Sequence, residues 1–271
     1  MHLHSMFYYL FLHNMKTLQV KFLNSRGNHL SGKIDMPFNE HIKHYAIFAH
    51  CFTCSMELKA IANINNILTK HGLAVLRFDM TGIGESEGSF PDSNFTTQID
   101  DVVSAAKFLD ENYSAPELLI GHSLGGAAIM FASKHIQSVK ALVTIASPEE
   151  PANLAIKLKR TKDRSVKMGV AETEIGGVKF NFKPQFFKDI EGYNAAKLQK
   201  DIRLPYLVLH STADTYSDLS NAYTLYNRAN EPKSIVSLDD IDHLMLNKDD
   251  AHYAGQIIAA WAVKYLDGNS R

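Results

Sequence analysis

The sequence predicts an α/β fold: a mostly parallel central sheet with helices on both faces, opened by an antiparallel hairpin and interrupted by a small cap. Three observations lead there. Short apolar runs alternate with amphipathic segments from Tyr45 to Leu266. Runs such as Leu73–Phe78 are almost wholly apolar, as parallel strands covered on both faces must be. The stretch Leu118 to Gly126 goes from apolar run to glycine turn to small-residue helix with no linker.

Taken in order, Thr17–Asn24 and His29–Asp35 flank the turn Ser25-Arg26-Gly27-Asn28 and predict the hairpin. Tyr45–Ala49 is a buried strand, Glu57–His71 a helix and Leu73–Phe78 a strand. Phe95–Asn112 is a helix with Ile99, Val102, Val103, Ala106 and Leu109 on one face. Leu118–Ile120, Val139–Ile145, Tyr206–His210 and Ser234–Leu238 are strands; Leu124–His135, Ser217–Ala229 and Ala251–Leu266 are helices. From Pro148 to Leu204 the alternation lapses, which predicts a cap inserted after Val139–Ile145. It carries the basic residues Lys157, Lys159, Arg160, Lys162, Arg164 and Lys167, read as a solvated face, and Phe180, Phe182, Phe186 and Phe187, read as cap packing.

At 271 residues one domain over 15–271 is expected, with the cap at about 148–204. Residues 1–14 read as an extension, with Met15 an alternative start; the run Met6–Leu12 is too short to span a bilayer and lacks the basic flank of a signal peptide. A net charge of −1 supplies no field for nucleic acid or membrane. A cytoplasmic monomer or homodimer acting on a small molecule is the expectation. Two cysteines do not make a disulfide scaffold.

Gly121-His122-Ser123-Leu124-Gly125 has the form G-x-S-x-G. A sharp strand-to-helix turn of this kind exposes a serine hydroxyl at a helix N-terminus. Serine needs a base to take its proton, and the base needs a carboxylate to fix its tautomer. The chain has 13 histidines, so position must choose among them. Active groups gather at the carboxyl ends of parallel strands. His243 follows the last strand and Asp214 the penultimate one, which gives the triad Ser123, Asp214 and His243. Glu149 and Glu150, after the preceding strand, are the rival acids. His122 is expected to point away from the nucleophile. Two amides should hold an oxyanion: that of Leu124, after the nucleophile, and that of Phe52, in the loop after the third strand. Cys51, Thr53, Phe182, Phe186, Tyr216 and Leu244 are candidate substrate-pocket residues. No metal or other cofactor is required by this chemistry.

These motifs place the sequence close to a known family. Phe48-Ala49-His50-Cys51-Phe52-Thr53-Cys54, the stretch Arg77 to Gly88 and Gly121 to Gly126 are similar to α/β-hydrolases, with the order Ser, Asp, His that those enzymes show. The closest likeness is to the hydrolase domain of bifunctional α/β-hydrolase/OsmC-type proteins, here without the OsmC domain. The resemblance implies a serine esterase, probing no particular substrate. Where many relatives have His-Gly, this chain has His50-Cys51.

Other readings attach to the same residues. Thioesterase, amidase or cofactor-free perhydrolase activity would use the same triad, and a binding protein would keep the fold without turnover. Cys51-x-x-Cys54 reads first as pocket packing, with a thiol-redox pair as the alternative. Gly82, Gly84 and Gly88 have the wrong spacing for a dinucleotide and no helix start beside them. Arg77 and Asp79 read as a structural pair.

Overall fold

The computed structural model describes residues 15–39 and 41–268; the expectation for residues 1–14 lies outside them. In chain order the elements are β1 (Met15–Leu23), β2 (His29–Pro37), β3 (His44–Ala49), α1 (Lys59–Lys70), β4 (Leu73–Phe78), α2 (Phe95–Asn112), β5 (Leu118–His122), α3 (Leu124–Ala132) and β6 (Ala141–Ile145). The cap follows as α4 (Asn153–Lys157), α5 (Lys159–Met168), β7 (Ala171–Ile175), β8 (Val178–Phe182), α6 (Pro184–Ile190) and α7 (Ala195–Gln199). The chain closes with β9 (Tyr206–Ser211), α8 (Ser220–Arg228), β10 (Lys233–Leu238) and α9 (Lys248–Leu266).

Eight strands form one sheet in the order β1-β2-β4-β3-β5-β6-β9-β10. The β1–β2 hairpin joins antiparallel to β4, and every pair from β4 to β10 is parallel. This is the α/β-hydrolase architecture that the sequence predicts. The core has two layers. One packs α1 and α9 on a sheet face through Ile61, Ile64, Leu68, Ile258 and Ala262. The other packs α2, α3 and α8 on the opposite face through Val102, Leu109, Ile129, Met130 and Leu225. Both faces being covered explains why β4 and β5 are buried at every residue.

Several boundaries differ from the sequence reading, each for a local reason. β5 runs on to His122 because its pairing with β6 continues to His122 against Ile145. α1 starts at Lys59 because Met56 is taken into a turn, where its N–H donates to Asp79 Oδ1 over 2.7 Å. α8 starts late because the Tyr216 and Ser217 amides already donate to Asp214 Oδ1, each at 2.8 Å. The cap contains an antiparallel hairpin, β7–β8, turned at Gly176 and Gly177, whose φ values of 60° and 81° suit glycine.

Arg77 does not pair with Asp79. Its Nε donates to Asp35 Oδ2 at 2.7 Å, and Asp35 also accepts from Thr17 Oγ1 at 2.7 Å and Asn65 Nδ2 at 2.9 Å. Asp79 accepts instead from the Met56 and Glu85 amides. The Arg77–Asp35 pair is buried and joins β4, β2, β1 and α1 beside the loop that leaves β3. Removing one partner of a buried pair strands the other charge. Asp35→Ala should therefore cost about 3–5 kcal/mol, seen as a lower denaturant midpoint at unchanged slope. A loss below about 1 kcal/mol would show that Arg77 is satisfied without Asp35.

Candidate active site

Ser123 sits between β5 and α3 with φ 53° and ψ −125°, a conformation L-residues rarely hold. The glycines around it make it possible. A Cβ on Gly121 would stand 2.4 Å from the Gly125 carbonyl oxygen, and one on Gly125 would stand 2.3 Å from the His50 carbonyl oxygen. The helix thus crosses the ends of β3 and β5 at backbone contact. The Ser123 amide donates to the Ile145 carbonyl at 2.8 Å, which pins the turn to β6. The Ser123 side chain makes no capping bond to its own helix, so its hydroxyl is left for other chemistry.

Asp214 and His243 come together at this same edge. His243 Nδ1 lies 2.7 Å from Asp214 Oδ2. A carboxylate can only accept, so Nδ1–H is the donor in this bond and Nε2 is the ring nitrogen left for other chemistry. The Asp214 side chain is fully buried and that of His243 is 10% exposed. Burial acts to raise the Asp214 pKa, but hydrogen bonds from His243, Ser217 and Tyr216, with the His243 charge, outweigh it and hold the carboxyl below its ordinary value. Among the described residues no direct hydrogen bond joins Ser123 Oγ to His243; such bonds often tighten only around substrate. Glu149 and Glu150 are engaged elsewhere. Both pair with Arg228, and Glu150 accepts from the Ala195 and Ala196 amides that open α7.

The loop after β3 holds the other predicted groups. Among the described residues neither the Phe52 nor the Leu124 amide donates to a protein acceptor, so both are available to an oxyanion. Thr53 has φ 66°, and Cys51 is buried. Cys51 and Cys54 are joined by a disulfide, with Cα atoms 5.3 Å apart, where the sequence reading favoured simple packing. Phe182 and Phe186 lie 5.8 Å and 5.3 Å from the Phe52 ring, centre to centre. They are almost wholly buried, so they back the loop as part of a cap-to-body aromatic cluster. Tyr216 is exposed, with its ring 5.3 Å from that of His243. Leu244 is half-buried next to His243, its amide donating to Asp242. Among the described residues no group of three or more His, Cys, Asp or Glu side chains is placed to hold a metal ion, and no helix is long and apolar enough to cross a membrane.

Two buried imidazoles flank the Asp–His pair, and sequence reasoning missed both. His122 does not point away from the site. Its Nε2–H donates to the His243 carbonyl at 2.8 Å, and the two rings lie 4.9 Å apart. His210 Nε2–H donates to the Ser217 carbonyl at 2.7 Å and lies 3.7 Å from Asp214 Oδ2. The one sequence signal was their place: His122 ends β5 just before Ser123, and His210 is the penultimate residue of β9, just before the loop that carries Asp214. His122 thus fastens the His243 backbone to the elbow. Burial, then the nearby His243, push its pKa down to about 3, so it stays neutral.

Comparison with known proteins agrees with the fold. Residues 41–174 match the family Hydrolase_4, described as serine aminopeptidase, S33. The esterase domain of a Rhodothermus marinus protein is 39% identical, with a TM-score of 0.75, covering 93% of this chain and 100% of that one. Est1E from Butyrivibrio proteoclasticus, solved with ferulic acid, shares the fold at 18% identity and a TM-score of 0.74, over 92% of this chain and 100% of that one. The mitochondrial palmitoyl-protein thioesterase ABHD10 of Homo sapiens is 25% identical over 200 residues, 71% of this chain and 64% of that protein. The match thus spans less than two thirds of that relative's length. With a serine at a nucleophile elbow and an Asp–His pair at the same sheet edge, the chain belongs to the α/β-hydrolase family of serine hydrolases and esterases.

The depressed His122 pKa has a consequence for stability. The unfolded histidine takes up a proton near its ordinary value of 6.5, while the folded one resists until about pH 3. Between those values the unfolded state binds more protons, so stability falls as pH falls. Wild type should lose about 1.4 kcal/mol per pH unit from this group across pH 6 to 4. His122→Phe should flatten that slope and lower kcat by about 10-fold, because the His243 backbone loses its tether. Denaturant melts at several pH values check the first part; an unchanged slope would place the histidine charge elsewhere.

Proposed function

We propose that the protein is a serine hydrolase that cleaves carboxylic esters of short to medium acyl chains through an acyl-enzyme on Ser123. One observation supports this above the rest: the 2.7 Å His243–Asp214 hydrogen bond stands at the sheet edge that carries the strained Ser123 turn. Ser123 Oγ attacks the acyl carbonyl while His243 Nε2 takes its proton. Asp214, held ionised by its hydrogen bonds, stabilises the imidazolium. The Phe52 and Leu124 amides receive the oxyanion. His243 then returns the proton to the leaving alcohol, and water, activated by the same histidine, releases the acid. No cofactor enters these steps.

The small cap, tied to the body through Phe52, Phe182 and Phe186, supports a modest acyl site. Within the family we place the chain nearest the hydrolase domains of α/β-hydrolase/OsmC-type proteins, on the motifs around His50, Arg77 and Ser123. A second reading, thioester cleavage, is favoured by the thioesterase relatives and uses the same groups.

Ser123→Ala should abolish fluorophosphonate labelling and lower ester kcat by about 10⁴–10⁶-fold, and His243→Ala should match it. Asp214→Asn should cost about 10⁴-fold. If Asp214→Asn is mild while Glu149→Gln is severe, the acid has been misassigned. A series of p-nitrophenyl esters and acyl thioesters of rising chain length should peak at short to medium esters. A peak at long-chain thioesters would favour the second reading.

A further inference from the structure

We propose that the Cys51–Cys54 disulfide is a modification site for low-molecular-weight thiols, and that its redox state sets the esterase rate by holding the Phe52 amide in place. The proposal rests on the reading of Phe52 as an oxyanion donor. It begins from the position of the bond: the disulfide encloses only Phe52 and Thr53, the loop that must aim that donor.

The loop needs holding. Thr53 is β-branched and sits at φ 66°, the left-handed region that such residues avoid. The Cys54 amide donates to the Cys51 carbonyl at 3.1 Å, closing a turn within the same ring as the disulfide. Four consecutive residues are therefore clamped twice. An open tetrapeptide with a threonine at its tight position has more extended conformations available, and relaxing into them turns the Phe52 N–H away.

The two ends of the clamp are not equal. Cys51 is buried, and its carbonyl also accepts from His50 Nδ1–H at 2.7 Å. His50 Nε2 in turn accepts from the Met80 amide at 3.3 Å, which ties this end to the loop beyond β4. His50 stays neutral in that bridge because burial lowers its pKa. Cys54 is only partly buried and lies at the outer end of the turn. The Phe52 ring stays packed between Phe90, Phe182 and Phe186 whatever the sulfurs do. Reduction thus frees the Cys54 end while the ring and Cys51 stay anchored, which perturbs an amide direction without dismantling the site.

The chemistry is thiol–disulfide exchange. A small-molecule thiolate attacks Sγ of Cys54, the less buried of the two residues; the Sγ–Sγ bond breaks and Cys51 leaves as a thiolate. A second thiol attacks the external sulfur of the mixed disulfide. Cys54 leaves as a thiolate, both cysteines take up the protons the two thiols gave up, and the small molecule departs as its own disulfide. Two electrons pass from the thiols to the protein, and an external disulfide reverses the sequence.

The test uses the full chain, isolated in air. Intact mass after alkylation under denaturing conditions counts thiols before and after dithiothreitol, which is then removed without air. Turnover of a p-nitrophenyl ester and the rate of fluorophosphonate labelling are measured on both forms. The expected result is no alkylated thiol before reduction and two after, with kcat about 10-fold lower, KM within about 2-fold, and recovery on reoxidation. A full oxyanion donor is worth about 10²–10³-fold, and a loosened one part of that. The Cys51→Ala/Cys54→Ala variant should sit at the reduced level and ignore the reductant. Two free thiols in the air-isolated protein, or a reduced form as fast as the oxidised one, would overturn the proposal while leaving the serine-hydrolase reading intact. Absence of turnover and labelling in both forms would overturn that reading, and the proposal with it.

Discussion

The close approach of α3 to the ends of β3 and β5 is the constraint on which the site depends. Backbone meets backbone there at distances that leave no room for a Cβ on Gly121 or Gly125. That contact forces Ser123 into its positive-φ turn and aims the N-terminus of α3 outward. It also brings the His50 carbonyl, and with it the loop carrying Phe52, against the same helix end. The Ser123 hydroxyl and two amides are thus gathered by one packing event. The sheet supplies the rigidity that keeps a strained turn from relaxing: β5 is paired on both sides, and the elbow amide is tied to β6.

Electrostatics completes what packing begins. Asp214 is removed from water yet held ionised, because three hydrogen bonds to the carboxylate outweigh the desolvation that opposes its charge. The two imidazoles beside it, His122 and His210, spend their N–H groups on backbone carbonyls of the very loops that carry His243 and Asp214. They contribute positioning: each planar donor fills space between strand ends and fixes a loop, and His122, held neutral by burial, does so without adding a competing positive charge. This explains how side chains from three separate loops keep one orientation at a sheet edge.

Most of this was legible in the sequence where local pattern and chain order suffice. The apolar run and glycines around Ser123 fix the elbow, and the rule that functional groups collect at parallel strand ends selects Asp214 and His243 from many acids and histidines. What was not legible depended on contacts between distant segments. His122 bonds a carbonyl far along the chain, and its neighbours in sequence say nothing of that. Arg77 finds Asp35 because β2 pairs antiparallel with β4, a register no motif announces. Cys51-x-x-Cys54 has a spacing that suits free thiols, a metal or a disulfide, and only the turn geometry separates them. The cap hairpin was in plain view at Gly176-Gly177, but the weak alternation of its strands hid it among cap loops.

The central claim is that Ser123, His243, Asp214 and two backbone amides act on one carbonyl. The most direct measurement is a crystal structure of the protein after reaction with an alkyl phosphonate ester. The account predicts phosphorus bonded to Ser123 Oγ, the phosphoryl oxygen at about 2.7–3.1 Å from both the Phe52 and Leu124 nitrogens, and His243 Nε2 turned toward the leaving-group oxygen. An adduct on another residue, or a phosphoryl oxygen facing away from both amides, would contradict it.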